Sequence, residues 1–369
     1  MKHANIKLAA GLNTARISQQ IRSTLVASLT LATLVSGSEA FACASCGCTL
    51  STDWGSQGVS TKSGWSGDLS YTSINQNQTI YGNSKPSAAL IQSLYANGQE
   101  IETNTNTQTT TATINFNGET GGVSLQLPYI YRTHGTDGVA GQPNDAAAQS
   151  LGANYTESSA SGIGDIRLIG HYNGFSDDKT AGIIFGVKLP TGDYNANFTT
   201  GVNARQTLDP GLQIGTGSTD YILGAYTSGT ISTYGWFVQG TVQHALTGLI
   251  NEAGGPSNAA NGGSSYRPGD AYVLNSGIRY AGFGSMFSPM LQLNLVHREY
   301  DQGTGVPTDV FTGSPISGGN LAYLSPGLSV RLGGGTSVYG FVQVPIYQNV
   351  GSLQLVPQYI ASVGVHQNF

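Results

Sequence analysis

The chain has 369 residues, a net charge of −5 and only 9% charged side chains, against about 25% in ordinary soluble domains. The acidic balance excludes a nucleic-acid partner. A chain this poor in charge, with 52 Gly and 19 Tyr, is odd for a soluble globule but suits a membrane β-barrel, whose lipid-facing positions exclude charge and whose interfaces carry aromatic girdles.

Residues 1–42 read as a secretory signal. Lys2, Lys7, Arg16 and Arg22 form the basic region, Leu25 to Val35 the apolar region, and Ala40-Phe41-Ala42 the cleavage site, so Cys43 is expected to open the mature chain. The apolar run is too short for a transmembrane helix. Four of the 15 Lys/Arg and one of the 20 Asp/Glu lie in the signal, which leaves 11 against 19 and a mature charge of −8.

A periplasmic segment, 43–62, follows. It holds every cysteine of the protein: Cys43, Cys46 and Cys48. Three thiols this close together suit a soft metal ion such as Cu(I) or Zn(II). They equally suit one local disulfide in an oxidising compartment, or anchorage through acylation or a mixed disulfide. Ala40 and Phe41 are poor residues ahead of an acylated cysteine.

From 63 to 369 the chain alternates with period two. Val123, Leu125, Leu127, Tyr129 and Tyr131 share one face; Ser124, Gln126 and Arg132 share the other. Strands are expected near 64–76, 105–117, 122–133, 161–173, 180–190, 219–228, 233–245, 270–280, 288–299, 320–332, 337–346 and 354–369. Short connections alternate with long ones until a last short outer turn near Gln348–Leu353. This is the pattern of an all-β, transmembrane, antiparallel up-and-down barrel of about 12 strands, with short periplasmic turns and long external loops. It places the protein in the outer membrane of a Gram-negative bacterium. Pro86 to Ala96 reads as a short helix within the first long loop, packed on the rim.

Charge placement suggests where selectivity resides. Arg132, Arg167, Lys188, Arg279, Arg298 and Arg331 fall in strands at positions that can point inward, and outward placement at mid-membrane costs roughly 2–4 kcal/mol. Strand acids are fewer, among them Asp165 and Asp220. Glu100, Glu102, Asp137, Asp209, Asp301 and Asp309 lie in or near long loops, where they are expected to be solvated. The expectation is a lumen that is basic or braced by Arg–Asp pairs, under an acidic rim. The five mature histidines sit on different strands with no metal-ligand spacing. No Gly-x-Ser-x-Gly, His-Glu-x-x-His or phosphate loop occurs, so an enzyme is not expected.

Four motifs carry a family resemblance: Ser161-Gly-Ile-Gly-Asp-Ile-Arg-Leu168, Phe185-Gly-Val-Lys-Leu-Pro-Thr-Gly-Asp193, Gly215-Thr-Gly-Ser-Thr-Asp220 and Tyr323-Leu-Ser-Pro-Gly327. They resemble outer-membrane proteins named for the meta-pathway of phenol degradation. The resemblance covers roughly residues 120 to 369 and implies a transporter of small, often aromatic compounds. The cysteine-rich start is no general mark of that family.

The expected function is an outer-membrane channel passing small aromatic or anionic solutes, its partners being membrane lipid, those solutes and the outer-membrane assembly machinery. The alternative is a barrel scaffold that presents the cysteine segment for soft-metal or redox binding. Tyr359, Ala361, Val363 and Val365 alternate up to Phe369, an arrangement that serves as a signal to the assembly machinery. Phe369→Asp is therefore expected to lower the amount of heat-modifiable barrel in the outer membrane; normal levels would refute a terminal signal.

Overall fold

The computed structural model describes residues 63–138, 152, 154–175, 177–202, 204–246, 249–251, 264–283, 286–303 and 306–369. The expected signal peptide and the expected ligand or disulfide set Cys43, Cys46 and Cys48 lie outside these residues.

The described chain is almost entirely strand. In order it runs β1 (Gly64–Gly82), α1 (Ala88–Ala96), β2 (Ile101–Asn117), β3 (Gly121–Asp137), β4 (Tyr155–Ile163), β5 (Ile166–Tyr172), β6 (Ala181–Leu189) and β7 (Thr200–Gly201). Then follow β8 (Asp220–Ile231), β9 (Tyr234–Ala245), β10 (Leu249–Asn251), β11 (Ser264–Tyr266), β12 (Ala271–Tyr280), β13 (Phe287–Arg298), β14 (Gly319–Gly333) and β15 (Thr336–Asn368). Eleven of these close an antiparallel ring in the order β1-β2-β3-β5-β6-β8-β9-β12-β13-β14-β15, with β15 returning to β1.

The ring makes twelve crossings. β15 has 33 residues, about 110 Å of extended chain, far more than one membrane crossing. Its first part pairs with β14 and its second with β1. The chain reverses at Gly351–Ser352, where Ser352 takes φ 53°, and Asn368 N–H returns to Gly335 O at 3.0 Å. The expected strands 337–346 and 354–369 are thus two arms of one element. Conversely, the strand expected at 161–173 is interrupted. β4 and β5 both pair with β3, but Gly164 and Asp165 break the line between them.

Alternation explains the wall. On β12, Tyr272, Leu274 and Ile278 face outward while Asn275, Gly277 and Arg279 face inward. Tyr272 to Tyr280 spans about 27 Å of strand, which tilt reduces toward the apolar band of outer-membrane barrels. Glycines fit large rings into this wall. A Cβ on Gly182, Gly277, Gly327 or Gly364 would run into the ring of Tyr226, Phe237, Phe341 or Tyr339.

The helix packs on the barrel mouth as expected. Ser87 caps it by accepting Leu90 N–H at 3.1 Å. Leu94 and Tyr95 are buried beside Ile101 and Leu353. The loop acids depart from expectation: Asp137, Asp301 and Asp309 are buried and hold turns together. Asp309 accepts from Phe311 N, Thr312 N and Ser352 Oγ; Asp301 accepts from Gly269 N and Tyr266 Oη. A carboxylate oxygen accepting backbone N–H groups fixes a loop; Asp301 also meets Arg298 at 3.3 Å.

The seam between β1 and β15 holds a buried carboxylate. Tyr339 Oη donates to Asp68 at 2.9 and 3.1 Å, and His366 Nδ1 lies 3.9 Å from it. Phe369 lies past the seam, 84% exposed, its N–H donating to Trp65 O at 2.9 Å. Tyr339→Phe removes the hydroxyl donor from a buried acceptor, a loss of about 1–3 kcal/mol. The urea midpoint of the heat-modifiable form should fall, and Asp68→Asn in that background should recover part of it. An unchanged midpoint in Tyr339→Phe would refute the seam.

Candidate functional site

The candidate site is the lumen. Six of the eight residues proposed from the sequence, Arg132, Asp165, Arg167, Lys188, Asp220 and Arg298, face one common space, and they do different things. Asp165 sits in the break between β4 and β5 rather than within a strand. Lys188 on β6 is 2.8 Å from Asp220 on β8 and 3.4 Å from Asp165, with all three side chains under 10% exposed. Arg298 at the end of β13 lies 3.3 Å from Asp301. Arg132 on β3 donates to Thr107 Oγ1 at 3.0 Å and to the carbonyls of Gly211 and Gln213 at 3.3 and 2.9 Å. Arg167 faces the same space. Arg279 and Arg331 are near each other at the opposite, short-turn end of the barrel.

Arg132's carbonyl partners belong to the connection between β6 and β8, which the sequence placed outside the barrel. Part of it turns inward. Phe198, Leu208 and Leu212 form a small core of its own. Gln213 ties it together, accepting Ala196 N–H at 2.8 Å and donating to the carbonyls of Ala196 and Leu208 at 3.0 and 2.9 Å. A short 3-10 turn, Pro210–Leu212, presents the face that Arg132 grips.

The base of this inserted loop is built from three of the four family motifs. Asp165 accepts Gly192 N–H at 3.0 Å, Thr216 N–H at 2.9 Å and Thr216 Oγ1 at 2.7 Å. Thr191 Oγ1 donates to Gly164 O at 2.9 Å. Gly192 and Gly215 meet backbone to backbone, leaving no room for a Cβ on either. Asp220 accepts from Ser218 Oγ at 2.6 Å and from Gln243 Nε2 at 2.5 Å. Glycine and aspartate at these spacings specify one tight junction around Lys188.

Between the inserted loop and the wall is a cavity of about 180 Å3. One side is a threonine row from β2, Thr107, Thr109 and Thr111; the loop supplies Pro210, Gly211 and Ile214. Arg132, Arg167, Lys188 and Arg298 line it against two carboxylates, Asp165 and Asp220. Among the described residues, no group of three His, Cys, Asp or Glu side chains is placed to hold a metal ion.

Above the cavity three carboxylates that the sequence assigned to a solvated rim approach one another. Glu100 and Glu102 come from the chain entering β2, and Asp209 from the inserted loop. Glu100 Oε1 and Asp209 Oδ1 are shut off from solvent without hydrogen-bond partners. Burial, and then the Asp209 charge, hold the Glu100 carboxyl well above the usual range; Thr136 opposes this. Burial lifts Asp209 to about 6.

A closed antiparallel ring with a lipid-facing apolar band and an inward-folded loop defines an outer-membrane β-barrel with a constricted lumen. The chain belongs to the family described as "Putative MetA-pathway of phenol degradation", whose model matches residues 84–344. No curated protein sequence matches it. An outer-membrane channel from Pseudomonas putida F1 aligns over 84% of this chain and 97% of its own, at 12% identity and a TM-score of 0.52, which shows the fold. The β domain of the Bordetella autotransporter BrkA aligns over 84% and 100%, at 11% identity and a TM-score of 0.44. The monoaromatic hydrocarbon channel CymD aligns over 90% and 95%, at 9% identity and a TM-score of 0.42.

The carboxylates above the cavity set a pH dependence. Asp209's pKa is raised when the loop is seated, from 3.8 to about 6. Seating is therefore fully favoured below about pH 4 and weakens as pH rises through 6; Glu100 acts in the same direction. Single-channel conductance should rise between pH 4.5 and 7.5 as the loop loosens. Asp209→Asn should flatten that rise, and a rise that persists in Asp209→Asn with Glu100→Gln would refute the assignment.

Proposed function

We propose that this barrel is a passive channel for small solutes, aromatic or anionic, and that it is not an enzyme. The observation that carries the reading is the cavity between β2, β3, β5 and the inserted loop. Its volume of about 180 Å3 is close to the roughly 150 Å3 that accommodates benzene in a protein interior. Membership of a family named for phenol degradation supports an aromatic cargo, and the neighbour from Pseudomonas putida is itself an outer-membrane channel.

Charge supports a mild preference for anions. Four cations and two carboxylates line the cavity. Lys188 is engaged by both Asp165 and Asp220, and Arg298 by Asp301, so bracing accounts for those two cations. Arg132 donates to two backbone carbonyls and a threonine hydroxyl, so holding the inserted loop is part of its role, and the cavity lining as a whole still carries more cations than carboxylates. In a narrow passage with little water, a small excess of charge acts at longer reach than on an open surface. The expected selectivity is therefore milder than six inward-facing basic residues alone suggest.

In planar bilayers the refolded protein should conduct, with a reversal potential on the anion side in a salt gradient and block by benzoate. Arg167→Gln should move the potential toward the cation side. Cation selectivity in the wild type would refute the basic lumen, and absence of conductance would refute the channel.

A further inference from the structure

The connections that lead into β12 and β14 build a second structure beside the inserted loop. Tyr266 closes β11 and is 4% exposed. Its hydroxyl donates to Asp301 Oδ2 at 2.9 Å. The other carboxylate oxygen of Asp301 accepts Gly269 N–H at 2.8 Å, and the N–H of Asp301 donates to Ser317 Oγ at 2.8 Å. The chain beside the ring is paired as well. Arg267 N–H donates to Gln302 O at 2.8 Å, and Gln302 N–H to Arg267 O at 2.9 Å. The ring is thus held at its hydroxyl and through its backbone, and swinging it aside means giving up hydrogen bonds of buried groups.

Three connections meet at this ring. Tyr266 packs with Val306, from the connection between β13 and β14, and with Tyr194, from the inserted loop between β6 and β8. Tyr266 also lines the cavity, together with Pro210, Gly211 and Ile214 of the inserted loop. The threonine row and Arg132 on the cavity's other side belong to β2 and β3. All three packed residues come from long connections, so they stand toward the outside of the cavity. None of the three is charged. An apolar constriction cannot replace the water that an ion sheds, so it acts on size and hydration rather than on the sign of a charge.

We infer that Tyr266 is a specificity-determining residue: its ring, steadied by Asp301 and packed on Tyr194 and Val306, roofs the cavity from outside and sets the cross-section of the solutes that reach the arginines. The inference rests on reading the lumen as a solute path. It places selection by cross-section ahead of selection by charge, on residues of different strand connections, so the two can be changed separately.

Access to the cavity from outside tests this apart from conduction. Cells carry the full-length protein with Cys43→Ser, Cys46→Ser and Cys48→Ser, and with Thr111→Cys at a lining position. They are exposed to fluorescein maleimide, a bulky, membrane-impermeant thiol reagent. Labelling of the barrel should be slow with Tyr266 in place and stay slow in Tyr266→Phe, which keeps the ring. It should be about tenfold faster in Tyr266→Ala. Tyr194→Ala opens the same neck from the inserted loop and takes the place of Tyr266→Ala should that variant fail to assemble. Equal labelling with and without the ring, in heat-modifiable barrels, would overturn the inference. A ring-dependent labelling rate in a barrel that carries no current in planar bilayers would keep the roof and remove the channel reading; current with ring-independent labelling would do the reverse.

Discussion

The lumen is organised around one ammonium group held between two carboxylates. Lys188 lies within 3.4 Å of both Asp165 and Asp220 with almost no solvent access. A buried ion pair is weak evidence of stability in itself, but loss of one partner leaves a charge stranded, which costs about 3–5 kcal/mol. Here the partners come from three places: the break after β4, the strand β6 and the start of β8. The same carboxylates take hydrogen bonds from Gly192, Thr216, Ser218 and Gln243. Satisfying Lys188 therefore brings both ends of the inserted loop together, and the constriction depends on that junction.

The composition follows from the two solvents of the wall. Facing lipid, each strand presents Leu, Val, Ile and aromatic rings; facing the lumen it presents hydroxyls, amides and a few charges. Twelve crossings with uncharged outer faces require the low charge content. Glycine has a second cause. Several inward rings lie flat across a neighbouring strand, and only glycine leaves room beneath them, as Gly277 does for Phe237 and Gly364 for Tyr339. A Cβ at such a position would push the ring off the wall, and overpacking of this kind typically costs 1–3 kcal/mol.

The strands were legible because the membrane imposes period two on every crossing and the loops alternate in length. Even the reversal at Gly351–Ser352 was visible as a short gap between alternating runs. The inserted loop was not. Residues 190–219 read as polar, Gly-rich chain, and its inward turn depends on contacts to Arg132, Asp165 and Asp220 that are distant in sequence. The motif Gly215 to Asp220 was recognised, but its reason, the backbone contact with Gly192, exists only in three dimensions. The same holds for Asp137, Asp301 and Asp309. As sequence they look like solvated loop acids; as structure their acceptors take backbone and hydroxyl donors and, at Asp301, the Arg298 guanidinium. Period two left open which basic residues of the strands brace the wall, as Lys188 and Arg298 do.

The inserted loop is held from one side and opposed from the other. Arg132 grips the carbonyls of Gly211 and Gln213 from β3, while Asp209, the residue before Pro210, meets Glu100 and Glu102 from the chain entering β2. Attraction and repulsion thus act on adjacent residues of one short turn. The loop's base is fixed by the Lys188 junction and by its Gly192–Gly215 crossing, so changes in this balance cannot release the whole loop. They can move only the Pro210–Leu212 turn that forms one face of the cavity. The groups that close the ring and the groups that narrow the passage are thus different residues: the first lie in the strand ladder, the second in the Lys188 junction and the turn that Arg132 holds.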